Sequence, residues 1–189
     1  MLIAKELGKR FGSRWVFRGL QFQVSSGQVL GVFGSNGSGK STLLRVLAGL
    51  ATANEGEVAL SGEVDLRRSV GYAALDLALY PDLTAQEHLD LAARLRGGGT
   101  KGWLERVGLP ADQPTREFSS GMRARLRLAI SMQHEPLMLL LDEPGASLDE
   151  AGRSLVQDLI TEQCERGVVV LATNEPNEKE WANHAITLG

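Results

Sequence analysis

Short apolar runs alternate with stretches of helical spacing along most of the chain. Residues 2–7 and 20–24 have the character of short strands, separated by a turn-rich stretch around Gly12-Ser13-Arg14. Ser25-Ser26-Gly27 turns the chain into a third apolar run, Val29–Phe33, which a glycine loop separates from a helical segment, 42–48, closed by Gly49. Residues 57–60 and 69–73 read as further strands. From Thr84 the period changes: residues 85–95 are helical, with Thr84 as N-cap and Glu87 completing a capping box. Gly97-Gly98-Gly99 ends that helix. A short helix is expected over 103–107 and a longer one over 121–133. Residues 137–141 and Val168–Ala172 are continuous apolar runs, the pattern of strands buried on both faces, with a helix over 151–166 between them and a last strand over 185–188. Buried strands alternating with helices predict a parallel-sheet α/β core, and the helical stretch from Thr84 to Gln133 reads as an insertion into it.

A length of 189 residues suits one domain with a substantial core. The net charge of −3 supplies no global attraction to nucleic acid or an acidic membrane. Cys164 is the only cysteine, so an intrachain disulfide is excluded and a reducing compartment is expected. No apolar run approaches the roughly 20 residues that cross a bilayer, and the first residues lack the apolar centre of a signal peptide. A cytosolic, soluble chain is expected, with any membrane work left to a partner.

The chemistry concentrates in three segments. Gly34-Ser35-Asn36-Gly37-Ser38-Gly39-Lys40-Ser41 satisfies G-x-x-x-x-G-K-S/T at every fixed position, between an expected strand and an expected helix. The glycines let the backbone curl so that successive N–H groups face phosphate oxygens, and the helix start adds partial positive charge there. Lys40 is placed to reach the β- and γ-phosphates, and the Ser41 hydroxyl to ligate Mg²⁺. Asp142-Glu143-Pro144 follows the apolar run 137–141. An aspartate ending a buried strand beside a phosphate loop suits Mg²⁺, directly or through water, and Glu143 suits polarising a water for attack on the γ-phosphate. Standing alone, the two acids would read as a solvated strand end. Phe118-Ser119-Ser120-Gly121-Met122 opens the 121–133 helix, where Ser119, Ser120 and Gly121 can offer hydroxyls and N–H groups to an anion; standing alone, it would be an ordinary serine N-cap.

In their order and spacing these motifs resemble the ATP-binding cassette (ABC) ATPase family across essentially the whole chain. Residues 34–41 match its Walker A loop, 118–122 stand where the family has L-S-G-G-Q, 137–143 match its Walker B strand, and Ser147-Leu148-Asp149 matches its D-loop. Phe11, in Lys9-Arg10-Phe11-Gly12, matches the aromatic that stacks on adenine. The resemblance implies an α/β P-loop NTPase of ABC type: a RecA-like parallel sheet core with an antiparallel β subdomain (1–75 and 122–189) and a helical subdomain (76–121) ending in the signature motif. It implies ATP and Mg²⁺ as cofactors, held by Phe11, residues 34–41 and Thr42, with Ser41 and Asp142 on the metal. It also implies a homodimer in which the cradle of one copy meets Ser119-Ser120-Gly121 of the other, an isologous arrangement with two equivalent sites. Hydrolysis there would drive separate transmembrane subunits from the cytoplasmic face of the cell membrane. Within the family the chain most resembles the small ATPase of the haem exporter of cytochrome c maturation, by its minimal length, its lack of a C-terminal regulatory extension and its altered 72–80 loop.

Three motifs depart from the family pattern. Leu75 stands where the Q-loop glutamine is expected, and leucine neither coordinates Mg²⁺ nor hydrogen-bonds water. Gln86 lies well past that position and is expected on a helix surface. Asn174 stands at the switch histidine; its amide can donate to a γ-phosphate oxygen but cannot take a proton near neutral pH. His184 is expected to face solvent. Met122 replaces the signature glutamine and Ser120 its first glycine. With Lys40 and Glu143 kept, tight ATP·Mg²⁺ binding and slow hydrolysis in isolation are expected, with Glu143, Lys40 and Asn174 as the catalytic set.

Two other readings use the same residues. A soluble ATP-gated clamp on nucleic acid would carry tandem cassettes, long insertions or a basic tail, and none is seen, so no nucleic-acid partner is expected. A slow or non-hydrolysing ATP sensor would explain Leu75 and Asn174 together, but Glu143 argues against it. Leu77, Leu79 and Tyr80 either form an apolar patch for a membrane partner's helix or pack beneath the insertion.

Overall fold

Two kinds of strand set the architecture of the computed structural model, which describes residues 1–62 and 65–189. Strands β1 (Leu2–Phe11) and β2 (Arg14–Val24) form a hairpin around Gly12, whose φ of 57° suits the tight reversal. β2 begins at Arg14 rather than near residue 20, so it is twice as long as its apolar end alone suggested: exposed residues occupy one face, and pairing with β1 carries the rest. After β3 (Val29–Phe33), helix α1 (Lys40–Leu47) and β4 (Glu55–Leu60), β4 pairs antiparallel with β1, giving a three-stranded sheet of order β2-β1-β4.

The chain continues through α2 (Leu66–Ser69), β5 (Val70–Ala74), α3 (Ala85–Arg96), α4 (Trp103–Arg106), α5 (Ser120–Met132), β6 (Met138–Asp142), α6 (Glu150–Arg166), β7 (Val168–Ala172), α7 (Pro176–Lys179) and β8 (His184–Thr187). The capping box starts α3: the Glu87 N–H donates to Thr84 Oγ1 at 3.2 Å, and the Thr84 N–H donates to Glu87 Oε2 at 2.8 Å. The second sheet is parallel throughout, in the order β5-β6-β7-β3-β8.

Because side chains alternate across a strand, the parallel sheet feeds two cores. Leu30, Val32, Leu140 and Val170 face α1 (Leu43, Leu44, Leu47) and the antiparallel sheet. Leu139, Leu141, Val169 and Leu171 face α5 and α6, meeting Ala124, Leu128, Val156 and Leu159. A third cluster joins α3, α4 and α5 through Leu89, Leu104, Phe118 and Leu126. Helix α5 therefore serves both the sheet and the insertion, from different faces of one helix. Leu77 packs on the large core and Leu79 on the helical cluster, whereas Leu75 and Tyr80 stay exposed. Of the three residues expected to act together, Leu77 and Leu79 are therefore packed, in different clusters, and only Tyr80 is exposed.

The register brings the carboxyl ends of β3, β6 and β7 level: Ala172 is the partner of both Val32 and Asp142. The three loops that leave those strands share one rim, the edge where parallel α/β sheets bind ligands.

Candidate active site

The first loop on the rim is the glycine loop, residues 34–41, between β3 and α1. Gly34, Gly37 and Gly39 all have left-handed φ angles, and two are forced by close approach as well. A Cβ at Gly34 would lie 2.3 Å from the Leu188 carbonyl oxygen, and one at Gly39 would lie 2.3 Å from Val16 Cγ1. The hairpin strand β2 is thus pressed directly onto the start of α1. Gly39 is the N-cap of α1 and has no side chain to cap the helix, and no acid follows in its first turn. Its leading amides are left for a ligand, and an anion is the species that such a helix start favours.

An open cavity of about 870 Å³ lies over this loop, lined by residues 35–42 together with Phe11, Arg14, Trp15, Val16 and Glu143. Phe11 is 61% exposed, an unusual position for a phenylalanine unless its ring receives a flat ligand, and the Lys9 ammonium stands 5.1 Å from the ring centre. Arg14, Trp15 and Val16 were not anticipated. Their place in a strand became visible only through the longer β1–β2 pairing.

Lys40 is almost wholly buried, and its Nζ donates to the Gly34 carbonyl at 2.9 Å and to Asn174 Oδ1 at 3.2 Å. It also stands 3.7 Å from Glu143 Oε1. Asn174 in turn donates its backbone N–H to Glu143 Oε2 (3.2 Å) and its side-chain amide to Asn36 Oδ1 (2.6 Å). Loops after β3, β6 and β7 are knitted together at Lys40, Glu143 and Asn174. Glu143 has φ 48°, a left-handed conformation costing on the order of 1–3 kcal/mol for a non-glycine residue, and it is held there by these bonds.

Asp142 ends β6 and is buried. Burial pushes its carboxyl above the usual carboxylate range; the hydrogen bond with Ser41 and the nearby Lys40 pull the other way, while Glu143 adds to the rise. Its Oδ1 has no hydrogen-bond partner. An orphaned acidic oxygen beside a serine hydroxyl is a donor pair that fits Mg²⁺, which needs few protein ligands when phosphates and water complete the shell. Among the described residues no cluster of three or more His, Cys, Asp or Glu side chains could hold a metal ion.

The serine turn lies elsewhere. Ser119 caps α5, its hydroxyl accepting the Met122 N–H at 3.2 Å, and Ser119, Ser120 and Gly121 are absent from the lining of the cradle cavity. A Cβ on Gly121 would come within 3.0 Å of the Ser147 carbonyl, which places this turn against the 147–149 segment of its own chain. Leu75 follows β5, and its neighbours Asp76 and Leu77 are held from both sides, by an Arg45–Asp76 ion pair and by Arg127 Nε donating to the Leu77 carbonyl at 2.8 Å. Gln86 bonds Asp90 along its own helix, and His184 is exposed at the start of β8.

A family model described as ABC transporter matches residues 17–146. The chain belongs to the ABC transporter family. It is an ATP-binding ATPase subunit of that family, and 38% of residues are identical to the "Cytochrome c biogenesis ATP-binding export protein CcmA 2" of Cupriavidus metallidurans, over 96% of this chain and 93% of that protein. It is 30% identical to the "Linearmycin resistance ATP-binding protein LnrL" of Bacillus subtilis, over 95% of this chain but 62% of that protein. Among solved structures, the "Structure of ATP binding subunit of ABC transporter" superposes with a TM-score of 0.88 at 24% identity, covering 99% of this chain and 85% of that one; this likeness concerns the fold. Among the described residues of this ABC subunit, no helix is long and apolar enough to cross a membrane.

Proposed function

We propose that this ABC subunit powers export, of haem for cytochrome c biogenesis, as a two-fold dimer docked on separate membrane subunits at the cytoplasmic face. One observation carries the dimer: the serine turn that the family motif requires is not at the cradle of its own chain. A second copy, related by a two-fold axis, supplies Ser119, Ser120 and Gly121 to the open side of the 34–41 loop, and the reciprocal contact forms at the same time. The likeness to the cytochrome c biogenesis export protein, which spans nearly all of both chains, supports the choice of cargo.

In this reading Phe11 stacks the adenine, the 34–41 amides and Lys40 hold the phosphates, and Lys40 leaves Asn174 and Glu143 to do so. Ser41 and Asp142 would hold Mg²⁺, which would supply positive charge to offset that of the phosphates. Glu143 then orients the attacking water as base, and Asn174 donates its amide to the γ-phosphate. Leu75 and Asn174 leave this geometry less complete than the family's glutamine and histidine do, so turnover is slow until a partner orders the site. The partner's helix docks near Leu75 and Tyr80, beside a groove of about 300 Å³ lined by Leu50, Tyr72, Leu77 and Leu95.

Glu143→Gln tests the reading. It is expected to trap a long-lived ATP-bound dimer by size-exclusion chromatography, with Lys40→Ala, which loses nucleotide, as the control. A Glu143→Gln protein that stays monomeric with saturating ATP and Mg²⁺ argues for the sensor instead. Recovery of a haem-binding membrane protein with the chain from native membranes supports the cargo.

A further inference from the structure

Glu178, on the short helix α7, is an acid that the scheme above leaves unused. It is only 2% exposed, less than Asp142 at 7%. Its Oε2 is buried without a hydrogen-bond partner. The carboxyl lies beside the Thr173 hydroxyl and the Gly145 amide, with Glu143 and Glu175 as its acidic neighbours. It is pressed against the turn after β6: a Cβ added to Gly145 would sit 2.1 Å from Glu178 Oε1, with the stem of Arg153 on the other side at 3.5 Å. Burying a carboxyl this deeply is costly unless it does something there.

Thr173 shows what that is. It is fully buried, its Oγ1 donates to Glu143 Oε2 at 3.3 Å, and the same oxygen accepts the Glu175 N–H at 3.0 Å. A hydroxyl carries one hydrogen. The Thr173 hydroxyl thus lies between two carboxyl groups, and Glu178 shares it with Glu143. Burial pushes the Glu178 carboxyl up, with the negative neighbours Glu143 and Glu175 adding to the rise, while the Thr173 hydroxyl and the Gly145 N–H pull the other way.

We propose that Glu178 is a positioning residue for ATP hydrolysis: through the Thr173 hydroxyl it aims Glu143, and through Gly145 it sets the turn that runs from Glu143 to Asp149. It joins the loop after β6 to the loop after β7, which Lys40 and Asn174 also join at Glu143. The inference rests on Glu143 acting as the base.

The test compares Glu178→Gln, Glu178→Leu and Thr173→Val in the purified chain, with kcat from single turnovers and ATP affinity measured separately. Glu178→Gln retains kcat, because a carboxamide can still hydrogen-bond the Thr173 hydroxyl. Glu178→Leu fills the same space without a hydrogen-bonding group and lowers kcat by about 100-fold, the scale of a reacting group misplaced by an ångström, while Kd for ATP stays within about threefold. Thr173→Val gives a similar loss, and the double variant Thr173→Val/Glu178→Leu loses no more than either single one. The inference is overturned if Glu178→Leu keeps wild-type kcat, if kcat and Kd worsen together, or if the two losses multiply. Should Glu178→Leu fail to fold, the smaller Glu178→Ala, which also lacks a hydrogen-bonding group, takes its place in the same comparison. Glu143→Gln, run alongside, separates the two levels: unchanged single-turnover kcat in that variant removes the base itself, whereas an inactive Glu143→Gln beside a fully active Glu178→Leu removes only the role of Glu178.

Discussion

Two helices of this molecule start at segments that the family uses to hold nucleotide, and they start differently. Helix α1 begins on Gly39, left-handed and without a cap. Helix α5 begins on Ser119, whose hydroxyl already accepts an N–H of its own first turn. The first start leaves its leading amides without a side-chain cap, the condition that favours an anion there. The second is satisfied as it stands, so it is stable alone and exposes the other polar groups of the turn to whatever approaches from outside. One chain thus carries an unsatisfied helix start, which the proposed function gives to phosphate, and a satisfied one, which the proposed function gives to a second copy. The difference comes down to whether the N-cap residue has a side chain.

Breaking the first start should have the largest effect. Gly39→Ala places a methyl group against Val16 at a φ that alanine rarely adopts. It is expected to weaken ATP binding by about 100-fold or more, some 2.7 kcal/mol, in equilibrium dialysis with Mg²⁺. Retained affinity would mean that the cradle is not made by this backbone.

The matching change at the second start is Gly121→Ala, where the added methyl meets the Ser147 carbonyl at 3.0 Å and the Ser119 hydroxyl at 3.9 Å. Nucleotide affinity of the monomer should move by less than about threefold, while ATP-dependent dimerisation measured by light scattering falls about tenfold. Equal damage to both measurements would erase the contrast. Ser119→Ala sharpens it further: loss of the cap should cost about 1 kcal/mol, or about 2–4 °C in Tm for a chain of this size.

A smaller effect concerns the third strand end. Asn174→His restores a group that can exchange a proton near neutral pH, and turnover should rise several-fold, about 1 kcal/mol, with a pH dependence absent from the wild type. No change in rate or profile would show that Asn174 is not at the γ-phosphate.

The smallest effect is on stability and belongs to Glu178. Its carboxyl is pushed up by burial, then by Glu143 and Glu175, so the folded chain holds a proton that the unfolded chain releases. Folding stability attached to this group is present in full below the ordinary glutamate pKa of about 4.3 and declines as pH rises above it. Glu178→Gln cannot ionise and escapes that decline. Its Tm relative to wild type should therefore climb between pH 4 and pH 8 in thermal melts, and a difference that stays flat across this range would contradict the sign.

Much of the site was legible because it is local. The cradle is eight contiguous residues between an apolar run and a helical one, and its glycines announce their own backbone angles. Asp142 and Glu143 were legible for a related reason, since they end a run apolar enough to be buried on both faces. Thr173 was not singled out, because a threonine after an apolar strand looks like any strand end, and its role comes from a neighbour 30 positions away. Glu178 was hidden more completely: in Glu-Pro-Asn-Glu-Lys-Glu an acid reads as solvated, and only the fold takes one of the three out of water. The strand over Arg14 to Arg18 was missed because its exposed charges obscure the alternation.

By itself, then, the order of residues determined the family, the α/β alternation, the phosphate loop and the acidic pair, since each depends on groups adjacent in the chain. Tertiary structure decided which strand ends share a rim, that Lys40, Glu143 and Asn174 meet, that Ser119 to Gly121 stand away from their own cradle, and that Glu178 is buried behind Thr173. Those facts depend on sheet order and helix packing. Both are set by how apolar faces distant in the chain fit together, which no stretch of neighbouring residues records.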